Sequence, residues 1–352
     1  MSMSSTNRGR QPVHQGTERG NVSCLHFDYE GVKVATKGFN KSNKLGEGGF
    51  GPVFRGELLS TDVAIKVLRR TKPGDKGASD LADEQFDAEI QILSKFRHPN
   101  LVTLLGYSND PGLPRCLIYE FMVNGTLEDA LDFGVDRSKV EGSETIGLPW
   151  MVRISIAIDT ARGLRYLHEA IKESPLVHRD IKSANVLLDL SFRAKVGDFG
   201  LVRAIGHQPA SHGIRQSQTA RIVGTSGYIA PEYYRGVITT KLDTYAFGVV
   251  LLEILTGLPS YDPKRNQEYS DLVTFIETMT RRKDFLLVQY VDGLAGDWPS
   301  RSFFKLFSIA QRCLTESHFD RPGMNEIYVL LEELSLLSGQ LFAEENKTKK
   351  KT

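Results

Sequence analysis

The chain has 352 residues and a net charge of +1, with 25% charged and 40% hydrophobic residues. That length can bury a sizeable core and form two lobes, and the balanced charge excludes a bulk attraction to nucleic acid. The scattered cysteines Cys24, Cys116 and Cys313, with no CxxC pair, exclude a disulfide framework and a cysteine zinc site, which fits a reducing, cytoplasmic setting.

Residues 1–24 are rich in Ser, Arg, Gln and Gly and read as a tail. They lack the apolar core of a signal peptide, and neither common lipid-anchor motif is present. Residues 25–39 bring back aromatic and aliphatic side chains and read as a lead-in packed on the domain. Lys44 to Phe54 (KLGEGGFGPVF) then sets Gly46, Gly48 and Gly51 in a G-x-G-x-x-G spacing between two strand-like segments. A hairpin with bare glycines at its tip can lie close over phosphates. A dinucleotide-binding loop of the same spacing needs a helix next, and Pro52-Val53-Phe54 reads as strand instead.

Asp62–Leu68 is the next strand, with Ala64 and Lys66 on one face. A lone lysine is most simply a snorkelling surface side chain, but the Val-Ala-Ile-Lys context points Lys66 inward. Arg69–Leu81 reads as a loop and Ala82–Phe96 as an amphipathic helix with Phe86, Ile90 and Leu93 on its buried face. Glu89 lies at the edge of that face, within reach of Lys66, whereas Glu84 and Asp87 point outward. His98–Tyr107 and Arg115–Phe121 read as two strands, after which Tyr119 to Met122 leaves the sheet. A polar insertion over 133–147 separates this region from a long core helix, Trp150–His168.

In Val177–Gly200, Val186–Leu188 and Ala194–Val196 read as a hairpin. His178, Arg179, Asp180, Lys182 and Asn185 precede its first strand and Asp198 follows its second, so both clusters come to one end. Asp180 is then a candidate base beside Asn185 and Asp198, oxygen ligands that suit Mg²⁺. Either triplet alone, His-Arg-Asp or Asp-Phe-Gly, is as readily a cap and a turn; their order and spacing together argue for a site. Further on, Lys241–Thr256 is apolar almost all round and belongs at the centre of a lobe, with Gly257 and Pro259 ending it. Its apolar run is too short to span a bilayer. Helical patterns continue over Asp271–Thr280, Phe303–Leu314 and Met324–Leu337, and the lysine-rich end NKTKKKT reads as a solvated tail.

H-R-D-x-x-x-x-N followed by D-F-G and A-P-E is the protein-kinase signature. With NKLGEGGFGPVFRG, HPNLVTLLGY, YEFMVNGTL, HRDIKSANVLLD, RIVGTSGYIAPEY and FGVVLLEILTGLP, the chain resembles protein kinases of the interleukin-1-receptor-associated kinase/Pelle group and the plant receptor-like kinases. The resemblance implies an α+β, bilobal protein-kinase fold over 40–337, with a small β-rich N-lobe (40–121), a mostly helical C-lobe (122–337) and a basic tail over 338–352. Tyr119 takes the gatekeeper position characteristic of that group, with its hydroxyl in reach of Glu89.

The resemblance further implies ATP and Mg²⁺ as cofactors. The loop Leu45, Gly46, Glu47, Gly48, Gly49, Phe50, Gly51 and Val53 would cover ATP, and Lys66, paired with Glu89, would hold its phosphates. Glu120 and Met122 would meet the adenine, with Val53, Ala64 and Leu187 enclosing it. Asp180 would take the substrate proton, Lys182 would neutralise the γ-phosphate, and Asn185 and Asp198 would hold Mg²⁺. Structural roles fall to Glu232 with Arg321, to Asp243 bracing the catalytic loop, and to Thr225 bridging Asp180 and Lys182. The partners implied are a protein substrate with a Ser or Thr acceptor, an upstream receptor or adaptor complex, and a transient dimer for trans-autophosphorylation. No nucleic acid and no membrane span are expected.

Between Asp198 and Glu232 there is no carboxylate, whereas Arg203, Arg215 and Arg221 accompany several hydroxyls. The resemblance singles out Thr219, five residues before Gly224, and after it Ser217, as the phosphorylation sites to expect, and a phosphate there would gather the arginines. Two other readings stay open. A pseudokinase scaffold usually lacks the lysine, the base or the metal aspartate, all of which this chain keeps; a tyrosine kinase is disfavoured by Lys182 and Thr225.

Overall fold

The computed structural model describes residues 24–49, 51–68, 76–131, 147–205, 223–265, 269–282 and 287–349. The chain divides into two compact units, one of residues 1–97 and 103–121 and one of residues 98–102 and 122–352. The expected division into a β-rich and a helical part is what the two contain.

The first unit is a six-stranded sheet in the order β1-β5-β6-β4-β3-β2. Its strands are β1 (Leu25–His26), β2 (Lys44–Gly48), β3 (Gly51–Leu58), β4 (Thr61–Val67), β5 (Leu104–Ser108) and β6 (Cys116–Glu120). β1 runs parallel to β5, and the other pairings are antiparallel. Alternation along β4 and β6 sends Val63, Ile65, Cys116 and Ile118 into one core with Leu58 and Val32. Val32 comes from α1 (Tyr29–Ala35), whose start is capped by Asp28 accepting the Gly31 amide at 2.5 Å. The lead-in over 25–39 is thus a strand and a helix built into the sheet, where the chain reading placed only a packed segment. Helix α2 spans Lys76–Lys95, starting inside the loop expected over Arg69–Leu81.

The strand expected over His98–Tyr107 begins only at Leu104. Residues 98–102 pair instead within the second unit: Val102 N donates to Val196 O, Val196 N to Asn100 O and Asn100 Nδ2 to Ala194 O, each at 2.9 Å. Pro99 offers no amide to a sheet, and Gly163 makes room for the segment, since a Cβ there would stand 2.6 Å from Asn100 O.

The second unit is built from α3 (Leu127–Leu131), α4 (Trp150–Glu169), α5 (Lys241–Thr256), α6 (Leu272–Thr280), α7 (Ser300–Cys313) and α8 (Met324–Lys349). It also holds the short strands β7 (Leu176–Val177), β8 (Val186–Leu188), β9 (Ala194–Val196) and β10 (Arg203–Ala204). Helix α5 has the expected bounds and is buried from Leu242 to Thr256. Its Gly248 lets α7 approach closely, because a Cβ there would meet Cys313 Cβ at 2.7 Å. Helix α8 runs on to Lys349, through most of the tail expected from residue 338. Among the described residues no helix is long and apolar enough to cross a membrane. The tail over 1–23 and most of the insertion expected over 133–147 lie outside the described residues, as do Phe50, Ser217 and Thr219.

Candidate active site

In the first unit the face of β4 opposite the core carries Ala64 and Lys66, in register with Tyr119 and Leu117 of β6. Lys66 Nζ donates to Glu89 Oε1 at 2.7 Å, with Lys66 8% and Glu89 0% exposed. The Tyr119 hydroxyl donates to the other oxygen, Glu89 Oε2. Helix α2 delivers Glu89 because Phe86 and Leu93 are buried on the same face; Glu84 and Asp87 are exposed. Removing either partner of such a buried pair would leave the other without its compensating charge. On the β2–β3 hairpin, Leu45, Gly46, Glu47, Gly48 and Gly49 are exposed, and a Cβ at Gly46, Gly48 or Gly49 would touch nothing within 4 Å. Gly51, at φ 141°, needs to be glycine. Val53 sits beside Lys66 in register, and Glu120 closes the sheet by accepting the Thr103 amide at 2.8 Å.

In the second unit β8 and β9 pair with Val186 opposite Val196. The Gly197 amide donates to Asn185 O at 2.9 Å, so Asn185 and the neighbour of Asp198 meet at one end. Asp180 stands there with every carboxylate bond accounted for. Its Oδ2 accepts from Lys182 Nζ at 2.9 Å and Asn185 Nδ2 at 3.0 Å, and its Oδ1 accepts from Thr225 at 3.0 Å. Lys182 Nζ also donates to Thr225 Oγ1 at 2.8 Å, closing a triangle. Leu187 is half-buried on β8 and Met122 is buried.

The loop before β8 is held from α5. Asp243, buried at 1% exposure, accepts the His178 and Arg179 amides and His168 Nε2, each at 2.8 Å. Burial pushes its carboxyl up, but the hydrogen bond and charge of His168, with His178 and the Arg179 amide, outweigh burial and hold it below the usual carboxylate range. Arg179 (φ 72°) and Asp198 (φ 63°) both sit in the left-handed region, a strained backbone for side-chain-bearing residues that surrounding contacts must impose. Arg179 donates to Tyr233 Oη at 2.6 Å, while its Nε is buried with no hydrogen-bond partner among the described residues. Glu232 and Arg321 form a forked pair at 2.5 and 3.1 Å, Arg321 being 1% exposed.

One buried group escaped the sequence reading. Glu253 Oε1 accepts from the Tyr228 hydroxyl at 2.7 Å and the Ser260 amide at 3.0 Å, and Tyr228 also meets Ser183 at 3.2 Å. The signal was a glutamate inside a helix buried all round. Burial pushes its carboxyl up to about 8. An acid whose pKa is raised on folding keeps its proton in the native state, so stability falls as pH rises from the unfolded value near 4.5 to about 8 and is level beyond. Chemical denaturation across that window is expected to show the fall in the parent and a smaller one in Glu253→Gln.

Comparisons with known proteins meet this geometry. The sequence profile of the family described as protein tyrosine and serine/threonine kinase matches residues 39–331. The probable serine/threonine-protein kinase PBL23 of Arabidopsis thaliana is 37% identical over 321 residues, 90% of this chain and 78% of that protein. PBL21 of the same plant, also described as a probable serine/threonine-protein kinase, is 38% identical over 314 residues, 89% of this chain and 77% of that protein. A probable LRR receptor-like serine/threonine-protein kinase of that plant is 40% identical over 314 residues, 88% of this chain but 32% of its own length. The chain belongs to the protein tyrosine and serine/threonine kinase family.

Proposed function

We propose that the protein transfers the γ-phosphate of ATP to Ser and Thr hydroxyls of protein substrates, with Mg²⁺. The observation that supports this most is the closed triangle of Asp180, Lys182 and Thr225. Asn185 donates through Nδ2 to both Asp180 O and Oδ2, which leaves Oδ1 to face a cation. One carboxylate and one amide oxygen, with phosphates and water completing the shell, suit Mg²⁺. Among the described residues no cluster of three or more His, Cys, Asp or Glu is placed to hold a metal, and this mode needs none.

ATP with Mg²⁺ supplies, when bound, the phosphoryl group and the charge compensation. The chain's own residues position and neutralise. Asp180 orients the substrate hydroxyl and accepts its proton as the new O–P bond forms and ADP departs. Lys182, fixed by Thr225, brings positive charge to the transferred group. Lys66, held by Glu89, takes the α- and β-phosphates, beneath the bare glycines of the β2–β3 hairpin. Glu120 and Met122 would offer backbone groups to the adenine, and Asn185 and Asp198 would hold the metal. Incubation with radiolabelled ATP, Mg²⁺ and a basic protein is expected to yield phosphoserine and phosphothreonine. Phosphotyrosine alone would overturn the assignment, and nucleotide binding without transfer would favour the scaffold reading.

The kinase is also proposed to switch by phosphorylation of Thr219 or Ser217 in receptor-proximal, cytoplasmic signalling, with a transient dimer for the trans reaction. The buried Nε of Arg179, unpartnered among the described residues, supports this reading, since a phosphate brings about −1.5 to −2 charges and strong acceptors. A Ser217→Ala, Thr219→Ala double variant is expected to lose about tenfold in kcat/KM, the worth of one charge-assisted hydrogen bond. Full activity after incubation with ATP would place the switch elsewhere.

A further inference from the structure

The profile of the family begins at residue 39, yet the segment before it is seated in the first unit as though the sheet had been cut to receive it. One glycine forms the seat. A Cβ at Gly106 on β5 would stand 2.5 Å from both Leu25 O and the Phe27 ring, a distance that real Cβ atoms do not reach. Val32 and Thr36 are 0% exposed. Phe27 N donates to Tyr107 O at 2.9 Å, and Tyr29 N donates to Asp110 Oδ2 at 2.7 Å. Residues 25–36 therefore form a strap that adds an edge strand to β5 and then covers one face of the sheet.

The strap also reaches the helix that carries Glu89. The His26 ring meets Tyr107 edge-on at 5.4 Å between centroids, and Tyr107 meets Phe86 edge-on at 6.0 Å. Phe86 lies on α2 one turn before Glu89, on the same buried face. Arg115, the residue before β6, lies over the Phe86 ring, with its guanidinium 5.1 Å from the ring centre. Offset and edge-to-face ring contacts of this kind fix relative orientation. The position of α2 against β5, and with it the meeting of Glu89 with Lys66 and Tyr119, depends on what holds Tyr107 in place.

We infer that the strap is a positioning element for the Lys66–Glu89 pair, so that the grip on nucleotide is complete only with residues 25–36 seated on β5. The inference rests on the proposed role of that pair toward ATP. In this arrangement His26 and Phe27 act through Tyr107 and Phe86 and touch no substrate.

The test uses the full chain with Gly106→Ala, whose methyl takes the place of Leu25 O, and separately Phe27→Ala, which leaves the sheet unchanged. Hydrogen exchange is read by mass spectrometry over residues 25–36 and over α2, and KM for ATP is read beside kcat at saturating ATP. In both variants the strap and the part of α2 from Phe86 onward are expected to exchange faster. KM for ATP should rise about threefold to tenfold, the span of a positional coupling, while kcat changes little. A strap that loses protection with α2 protection and KM unchanged overturns the inference. So does a strap that keeps its protection in both variants. A parent chain that binds no ATP would refute the reading of Lys66 and Glu89 instead, and the exchange of α2 would still report whether the strap positions that helix.

Discussion

Asp180→Asn is expected to leave a folded protein whose kcat has fallen by about 10²–10⁴-fold, the contribution of a positioned proton acceptor. The amide keeps the shape of the side chain but loses the negative charge that gathers Lys182, Asn185 and Thr225. An Asn at this position offers one acceptor where the carboxylate offers two, so one of those donors goes without its bond. Nucleotide affinity is expected to change little, because Lys66 and Glu89 stand on other elements. Asp198→Asn is expected to be equally poor at low Mg²⁺ and to recover partly as Mg²⁺ rises, whereas Asp180→Asn is expected not to. Measuring kcat for both over a Mg²⁺ series separates the base from the metal ligand. Near-normal turnover of Asp180→Asn would remove Asp180 from its proposed role.

Arg321→Leu is expected to cost about 3–5 kcal/mol of stability, the usual result of stripping one partner from a buried ion pair. Glu232 is 4% exposed, and its two oxygens accept from the Arg321 guanidinium at 2.5 and 3.1 Å. Without the arginine a buried carboxylate is left uncompensated. Three further bonds go too: those from Arg321 to Lys241 O at 2.8 Å, Thr315 O at 3.0 Å and Glu316 O at 3.3 Å. Against a typical stability of about 5–15 kcal/mol, this is enough to unfold much of the protein at moderate urea. The double variant Glu232→Met, Arg321→Leu is expected to recover a good part of the loss, because the unpaired charge and not the missing attraction is the larger cost. Urea denaturation of the parent, the single and the double variant measures both effects. An Arg321→Leu protein as stable as the parent would show that Glu232 finds another partner or a proton.

Several side chains of the candidate site meet as the sequence pattern predicts, for reasons that can be named. Lys66 and Glu89 were legible because strand and helix periodicity assign each a face, and the two faces meet at 2.7 Å. Asp180, Asn185 and Asp198 were legible because a hairpin returns its two ends to one place, as the pairing of Val186 with Val196 does. The motif spacing named Asp243 and Thr225 as well, but not how they act. Asp243 grips two successive amides of the loop, and Thr225 touches Asp180 and Lys182 together.

Local pattern alone determined three elements: α5 from Lys241 to Thr256, the glycine hairpin, and the strand bearing Lys66. Tertiary structure decided whatever depends on a neighbour far off in sequence. Residues 98–102 left the sheet because Asn100 and Val102 found partners on β9. Residues 25–36 joined the sheet because Gly106 left room for Leu25 and Phe27. Glu253 turned from an interruption in an apolar run into a buried anchor because Tyr228 and Ser260 came to it. A backbone or carboxyl group in the interior must find a hydrogen-bond partner, and which partner comes within reach is set by the packing of distant segments, on which local periodicity carries no information.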